Sequence, residues 1–312
     1  MGLHAYHSPK ADRIVHEALL DIGAEIESLA MPRLKGVVLG GGYGRGEGGV
    51  VEEDDGSVHL YNDLDFYVVA DPESTSADIA RIAEALEPIS RKWTRTLGVD
   101  VDFSPAKPLW RLRRDQGRLM VQELLHGYFD VAGAKGEELF RDVRRLRPDE
   151  LPWPEAARLL VNRGAGWLLA GEPGRDGGFV ARNLNKCILG AGDALLIARG
   201  EYRWKAEERA AVLGDALYAK ALEWKFRPQK SAVCDRETAR TVWLDAVREI
   251  HRKPASRTLY QAVRWLVRRR SLGDIRTLGF LPEVRILLVM ERVVKANHSF
   301  SPSLKKDWLT FN

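Results

Sequence analysis

Three stretches between Val37 and Phe103 carry residue types that could do chemistry together. The first is a glycine run, Leu39-Gly40-Gly41-Gly42-Tyr43-Gly44-Arg45-Gly46-Glu47-Gly48. The second is Asn62-Asp63-Leu64-Asp65-Phe66-Tyr67-Val68-Val69, and the third is Gly98-Val99-Asp100-Val101-Asp102-Phe103. Glycines let a backbone approach a triphosphate closely, and clustered carboxylates hold the magnesium that neutralises it. Together they are the parts that metal-assisted transfer of a nucleotide requires.

Side chains alternate along a strand, so Asp63 and Asp65 should share one face, with Leu64 and Phe66 on the other. Carboxylates at that spacing repel each other, and partly burying them is costly without a cation. Asp100 and Asp102 repeat the pattern on a second strand. Three convergent carboxylates suit two magnesium ions about 3.5–4 Å apart, with manganese as an alternative. The plainer reading, two polar faces of edge strands, explains each pair singly but not both pairs following a glycine turn. Gly44-Arg45-Gly46-Glu47-Gly48-Gly49 also fits the dinucleotide pattern G-x-G-x-x-G. That fold needs an apolar helix directly after the glycines, and Val50-Val51-Glu52-Glu53-Asp54-Asp55-Gly56 is not one. The Gly-Lys-Ser/Thr of a Walker A loop is absent from the sequence.

Gly41 to Glu47, then Asp63-Leu64-Asp65, then an acid on a later strand, resembles the signature of the DNA polymerase β-like nucleotidyltransferase superfamily. The resemblance is to its bacterial branch of aminoglycoside and minimal nucleotidyltransferases, and it covers residues 36 to about 140. Gly42 stands where many relatives have serine. The spacing from Gly42 to Asp63 is longer than usual, the acidic 52–57 loop accounting for the excess. Gln122-Glu123-Leu124-Leu125-His126-Gly127 is similar to a segment these enzymes carry after the third acid. The resemblance implies that Gly41 and Gly42 cradle the β- and γ-phosphates and that Asp63 and Asp65 ligate metal. It favours Asp102, followed by Phe103-Ser104-Pro105, over Asp100 as third ligand; either could instead serve as the base for the acceptor's proton. Arg45 is a candidate phosphate contact, or else bonds its own loop.

The elements that must position these groups follow from pattern. Ser8-Pro9 with Ile14, Ala18, Leu19, Ile22 and Ile26 reads as a capped amphipathic helix, and residues 36–39 as a short apolar strand. Residues 58–70 are strand-rich, 77–91 have helical periodicity, 99–103 return to alternation, and 119–131 hold a further strand or short helix. The expected fold is α+β: a small mixed-sheet nucleotidyltransferase domain with flanking helices over residues 1–150, then an all-α helical bundle over 151–312. The prolines 148, 152 and 154 mark the change. Candidate helices span 155–170, 184–199, 205–225, 236–251, 256–270 and 282–297. Relatives often use such a bundle to close the nucleotide cleft. Lys186 is the candidate in it to reach the triphosphate, with a surface lysine as the alternative, and Asp193 reads as a structural partner between helices. Trp204, Trp224, Trp243 and Trp265 read as core.

Composition is that of an ordinary globular protein, 45% hydrophobic and 29% charged. The sequence shows neither a signal-peptide pattern nor an apolar run long enough for a bilayer, so the expectation is a cytoplasmic protein without membrane association. The formal charge of +4 conceals an asymmetry. Residues 1–150 carry about eight more acids than bases and 151–312 about twelve more bases than acids, and 251–270 hold seven Lys or Arg and no acid, a candidate polyanion contact. The expected activity is magnesium-dependent transfer of a nucleoside monophosphate from an NTP to a small molecule, an RNA 3′ end or a protein hydroxyl. The alternative is a non-catalytic nucleotide- or RNA-binding regulatory module of the same fold.

Overall fold

A computed structural model of the chain describes residues 3–251, 282–296 and 301–311. The expected helix at 256–270, the basic stretch beyond His251 and Trp265 lie outside them. The fold is α+β, and the chain divides into two compact units: Met1–Leu146 with Phe226–Pro228, and Arg147–Lys225 with Gln229–Asn312.

In the first unit, α1 (Pro9–Ser28) starts where the sequence places a cap, its Ala11 amide bonded to the Ser8 hydroxyl. The chain continues through β1 (Leu34–Leu39), the one-turn α2 (Gly41–Gly44), the hairpin β2 (Val50–Glu52) and β3 (Val58–Leu60), and β4 (Leu64–Ala70). After α3 (Ser76–Leu97) come β5 (Val101–Phe103), β6 (Lys107–Pro108), α4 (Leu109–Arg114), α5 (Leu119–Leu125), β7 (Phe129–Gly133) and α6 (Gly136–Leu139). Residues 119–131, left open between strand and helix by the sequence, hold α5 and the start of β7.

The main sheet is mixed. Its order is β5-β4-β1-β7, with β6 also on β4; β1 is antiparallel to β4 and β7, while β4 is parallel to β5 and β6. One face of β4, Leu64, Phe66, Val68 and Ala70, packs with α1 and α3 into one core. The other face carries Tyr67 and Val69 into a second core with Leu112 of α4 and Val121, Leu124 and Leu125 of α5. The sheet is thus a middle layer, and residue parity along β4 decides which layer a side chain meets.

The described part of the second unit is helical: α7 (Trp153–Ala170), α8 (Gly177–Arg199), α9 (Ala206–Leu213), α10 (Ala216–Phe226), α11 (Arg236–Ile250), α12 (Pro282–Lys295) and α13 (Pro302–Phe311). A turn of 3-10 helix, Pro148–Glu150, precedes them. Trp243 is buried and donates to the Leu160 carbonyl at 2.9 Å, and Trp224 is buried with its indole on the Ser231 carbonyl at 2.8 Å. Trp204 is only half-buried. The single helix expected over 205–225 is two. Gly214 ends α9 in the left-handed conformation (φ 64°), which a glycine adopts without steric cost. The helix at 184–199 starts earlier, at Gly177, because Asp176 caps it by accepting from the Phe179 amide. Among the described residues, no helix is long and apolar enough to cross a membrane.

Candidate active site

β1 delivers the chain into the glycine turn at the edge of the sheet. The Gly40 amide donates to the Asp65 carbonyl at 2.8 Å, so the turn begins directly beside the first carboxylate strand. The first bond within α2 runs from the Gly44 amide to the Gly40 carbonyl at 2.8 Å, leaving the amides of Gly41, Gly42 and Tyr43 ahead of it, at the end of a helix that lacks intrahelical partners. Gly41 sits at φ 62°, and a Cβ there would lie 2.3 Å from Asp65 Oδ2. Only glycine supplies both that backbone and that space.

The turn is fastened from below by Tyr43, which is fully buried. Its hydroxyl donates to the Gly49 carbonyl at 2.7 Å and accepts from the Tyr61 amide at 3.1 Å. Burial pushes that phenol up to about 12, which keeps the proton on the donor. Asn62 closes the far limb, its Oδ1 accepting from the Gly49 amide at 2.7 Å. The N-terminal segment closes a further side. The Tyr6 amide donates to the Gly48 carbonyl at 3.0 Å and the Gly48 amide to the His4 carbonyl at 3.1 Å. Asp12 anchors that segment by accepting from the amides of Leu3, His4 and Ala5.

Asp65 and Asp102 fall on strands as their spacing predicts, whereas Asp63 and Asp100 each lie one residue ahead of the strand expected to carry them. Leu64 and Phe66 are buried in the α1–α3 core while Asp65 between them is exposed, and Asp63 immediately before β4 is half-buried. In the parallel β4–β5 pair, Leu64, Asp65 and Phe66 stand opposite Val101, Asp102 and Phe103. Asp102 is therefore the register partner of Asp65, and its neighbours Val101 and Phe103 turn inward, with Phe66 and Phe103 stacked at 4.8 Å. Asp100 lies just ahead of β5, where its carbonyl accepts from the Leu64 amide at 2.8 Å. Burial, then Asp100, then Asp63 push the Asp102 carboxyl above its ordinary value. Asp102 therefore lies close enough to Asp100 and Asp63 to feel their charge.

Arg45 lies in a cluster that sequence reasoning did not assemble. Its Nε is 3.5 Å from Glu47 Oε2 and its Nη1 is 3.6 Å from Glu123 Oε2, with the side chain largely buried. Glu123 comes from α5, and Gly127 leaves room for Arg45, since a Cβ there would lie 2.4 Å from Arg45 Cγ. Tyr67, on the same face of β4 as Asp65, completes the group. Its phenol is pushed up by burial first, then by Asp65 and Glu123, with Arg45 opposing. Glu47 was visible in the glycine run, but only the tertiary fold brings Glu123 and Tyr67 to it.

Lys186 belongs to the helical unit, half-buried on α8. On the same helix, Asp193 accepts from the Tyr218 hydroxyl at 2.6 Å and pairs with Arg209 Nε at 3.0 Å, joining α8 to α9 and α10 as a structural partner would.

Asp63, Asp65, Asp100 and Asp102 offer only hard oxygen donors, in a patch whose strand neighbours are apolar, and this donor chemistry fits magnesium or manganese. Among the described residues, no group of three or more His, Cys, Asp or Glu side chains is arranged so as to hold a metal ion. The carboxylates line one surface beside a glycine turn. The chain matches no family model and no curated protein.

Proposed function

We propose that this chain is a divalent-metal-dependent nucleotidyltransferase, moving a nucleoside monophosphate from an NTP to a nucleophilic acceptor with release of pyrophosphate. The observation that carries the reading is the parallel register of Asp65 and Asp102, with Gly41 packed against the Asp65 carboxylate. That arrangement sets the glycine turn directly against a row of hard anionic side chains.

Asp63, Asp65 and Asp102 would hold the metal, which when bound supplies positive charge to the triphosphate and to the attacking oxygen. The amides of Gly41 and Gly42 hydrogen-bond phosphate oxygens, and the Tyr43 and Asn62 bonds fix the turn before the nucleotide arrives. Asp100, beside Asp102, would receive the proton of the acceptor hydroxyl. The Arg45–Glu47–Glu123 cluster holds the turn against α5; Arg45 is engaged there rather than extended toward a ligand.

The test is incubation of the purified protein with each α-labelled NTP, magnesium and a total cell lysate, followed by separation of RNA, protein and small molecules. Label in one fraction, lost with Asp63→Ala, supports the reading and identifies the acceptor class. NTP binding without label in any fraction would replace it with the non-catalytic binding module.

A further inference from the structure

We infer that the outer surface of α4, together with the adjoining 141–145 segment, binds a single-stranded polynucleotide. Charge is segregated within the first unit. Residues 1–106 carry 19 acids and 9 bases, whereas residues 107–146 carry 9 bases and 6 acids. Much of that positive charge is gathered on one surface. Leu112 anchors α4 in the core, and Trp110, Arg111, Arg113 and Arg114 are exposed around it. Arg141 and Arg144 are exposed on the neighbouring segment.

Two bonds set the segments side by side: Arg113 pairs with Asp142, and the Arg144 amide donates to Gln116 Oε1 at 3.1 Å. Gln122, fully buried, locks them by donating to the Gln116 and Arg144 carbonyls at 2.6 and 2.8 Å and accepting from the Leu146 amide at 2.8 Å. These bonds tie the two segments together while their charges face solvent.

Trp110 decides the occupant. A tryptophan half exposed among arginines is costly to leave in water, and Arg114 already lies 5.7 Å from its ring centroid. An indole face flanked by guanidinium groups stacks a base while the arginines take the flanking phosphates. Stacked base pairs hide their faces, so a duplex cannot use the indole. The acids present, Asp115 beside Arg114 and Asp142 beside Arg113, form exposed ion pairs of the kind phosphate displaces at little cost. α4 and α5 cover the same sheet face as Asp65, and β6, which leads into α4, pairs with Val69 and Ala70. Along β4, Asp65 to Ala70 is about 17 Å at strand rise. A bound strand could reach the carboxylates from here.

The inference stands without the transfer reading, because binding is measured with no NTP present. The experiment is fluorescence anisotropy of the full chain with short labelled single-stranded RNA, single-stranded DNA and duplex DNA, at salt from about 50 to 200 mM. The expected result is binding of one or both single strands in preference to duplex, weakening with salt. Trp110→Ala should cost about tenfold at unchanged salt slope. Arg111→Glu with Arg141→Glu should weaken binding further and flatten the slope by about 0.7 for each phosphate no longer neutralised. Circular dichroism confirms that these surface variants fold. Asp63→Ala should bind as the wild type does, so loss of transfer and loss of binding are separable. Duplex preference, binding unchanged in both variants, or binding to phosphatidylserine-containing vesicles with none to oligonucleotides would each overturn the inference.

Discussion

Asp65 and Asp102 are direct partners across the parallel β4–β5 pair, so two carboxylates from distant parts of the chain are held at one level of the sheet. Burial first, and then the charges of Asp100 and Asp63, raise the Asp102 carboxyl. Asp65→Ala should reduce magnesium-dependent transfer about a thousandfold, the equivalent of several kcal/mol of lost charge stabilisation. Asp102→Asn relieves repulsion and should raise thermal stability slightly in metal-free buffer. Magnesium should stabilise the wild type by linkage and stabilise this variant less. Melting curves with and without magnesium check both; an identical magnesium response would remove Asp102 from the ligand set.

Gly41→Ala places a methyl where Asp65 Oδ2 lies 2.3 Å away, in a left-handed backbone. The conformation alone costs about 1–2 kcal/mol. Chemical denaturation should show at least that loss. Gly214→Ala gives the comparison, because its φ is 64° but nothing lies within 4 Å of the added carbon. The second variant should lose only the conformational part, and equal losses would show that Asp65 moves aside freely.

His4 is fully buried and packs edge-on against Phe129 at 4.7 Å and near His16 at 6.0 Å. Burial lowers its pKa below 6.5 and His16 adds to this, while the Tyr43 backbone and Asp12 oppose. The native ring therefore resists a proton that the unfolded chain accepts. Its stability contribution is present above pH 6.5 and is lost as pH falls through the lower folded value. Thermal midpoints should drop between pH 7.5 and 5.5, and drop less in His4→Leu. Parallel pH profiles would show that other groups govern acid loss.

In the helical unit, Asp193→Ala leaves Arg209, almost fully buried, without its carboxylate. Breaking such a pair from one side costs about 3–5 kcal/mol. Tyr218→Phe removes only the hydroxyl bond to Asp193 and should cost about 1 kcal/mol. Denaturant unfolding distinguishes the two, and a mild Asp193→Ala effect would mean that Arg209 finds solvent.

The carboxylate alternation was legible because parity along a strand is a local property: Leu64 and Phe66 turn inward and Asp65 outward as their order requires. The Ser8 cap and the glycine turn were legible for the same reason. The break at Gly214 was hidden because apolar periodicity resumes at Ala216 and masks one residue's backbone. The Arg45–Glu123 pair and the Gln122 lock were invisible, since nothing in a local window says that α5 folds onto the turn or that residues 144–146 return to it. Local pattern gave the parity of the acids; long-range packing gave what holds the glycine turn beside them.

The β2–β3 hairpin pairs within itself, Val50 with Leu60 and Glu52 with Val58, and its base is drawn together by the Gly49–Asn62 and Tyr61–Gly49 bonds. Its length is therefore decoupled from the distance between the glycine turn and Asp63. Residues can be added or removed in cross-strand pairs at its tip without displacing either end. A search pattern that fixes the interval between those two motifs will reject chains that keep the same geometry, whereas one that allows an even-numbered insertion will retain them.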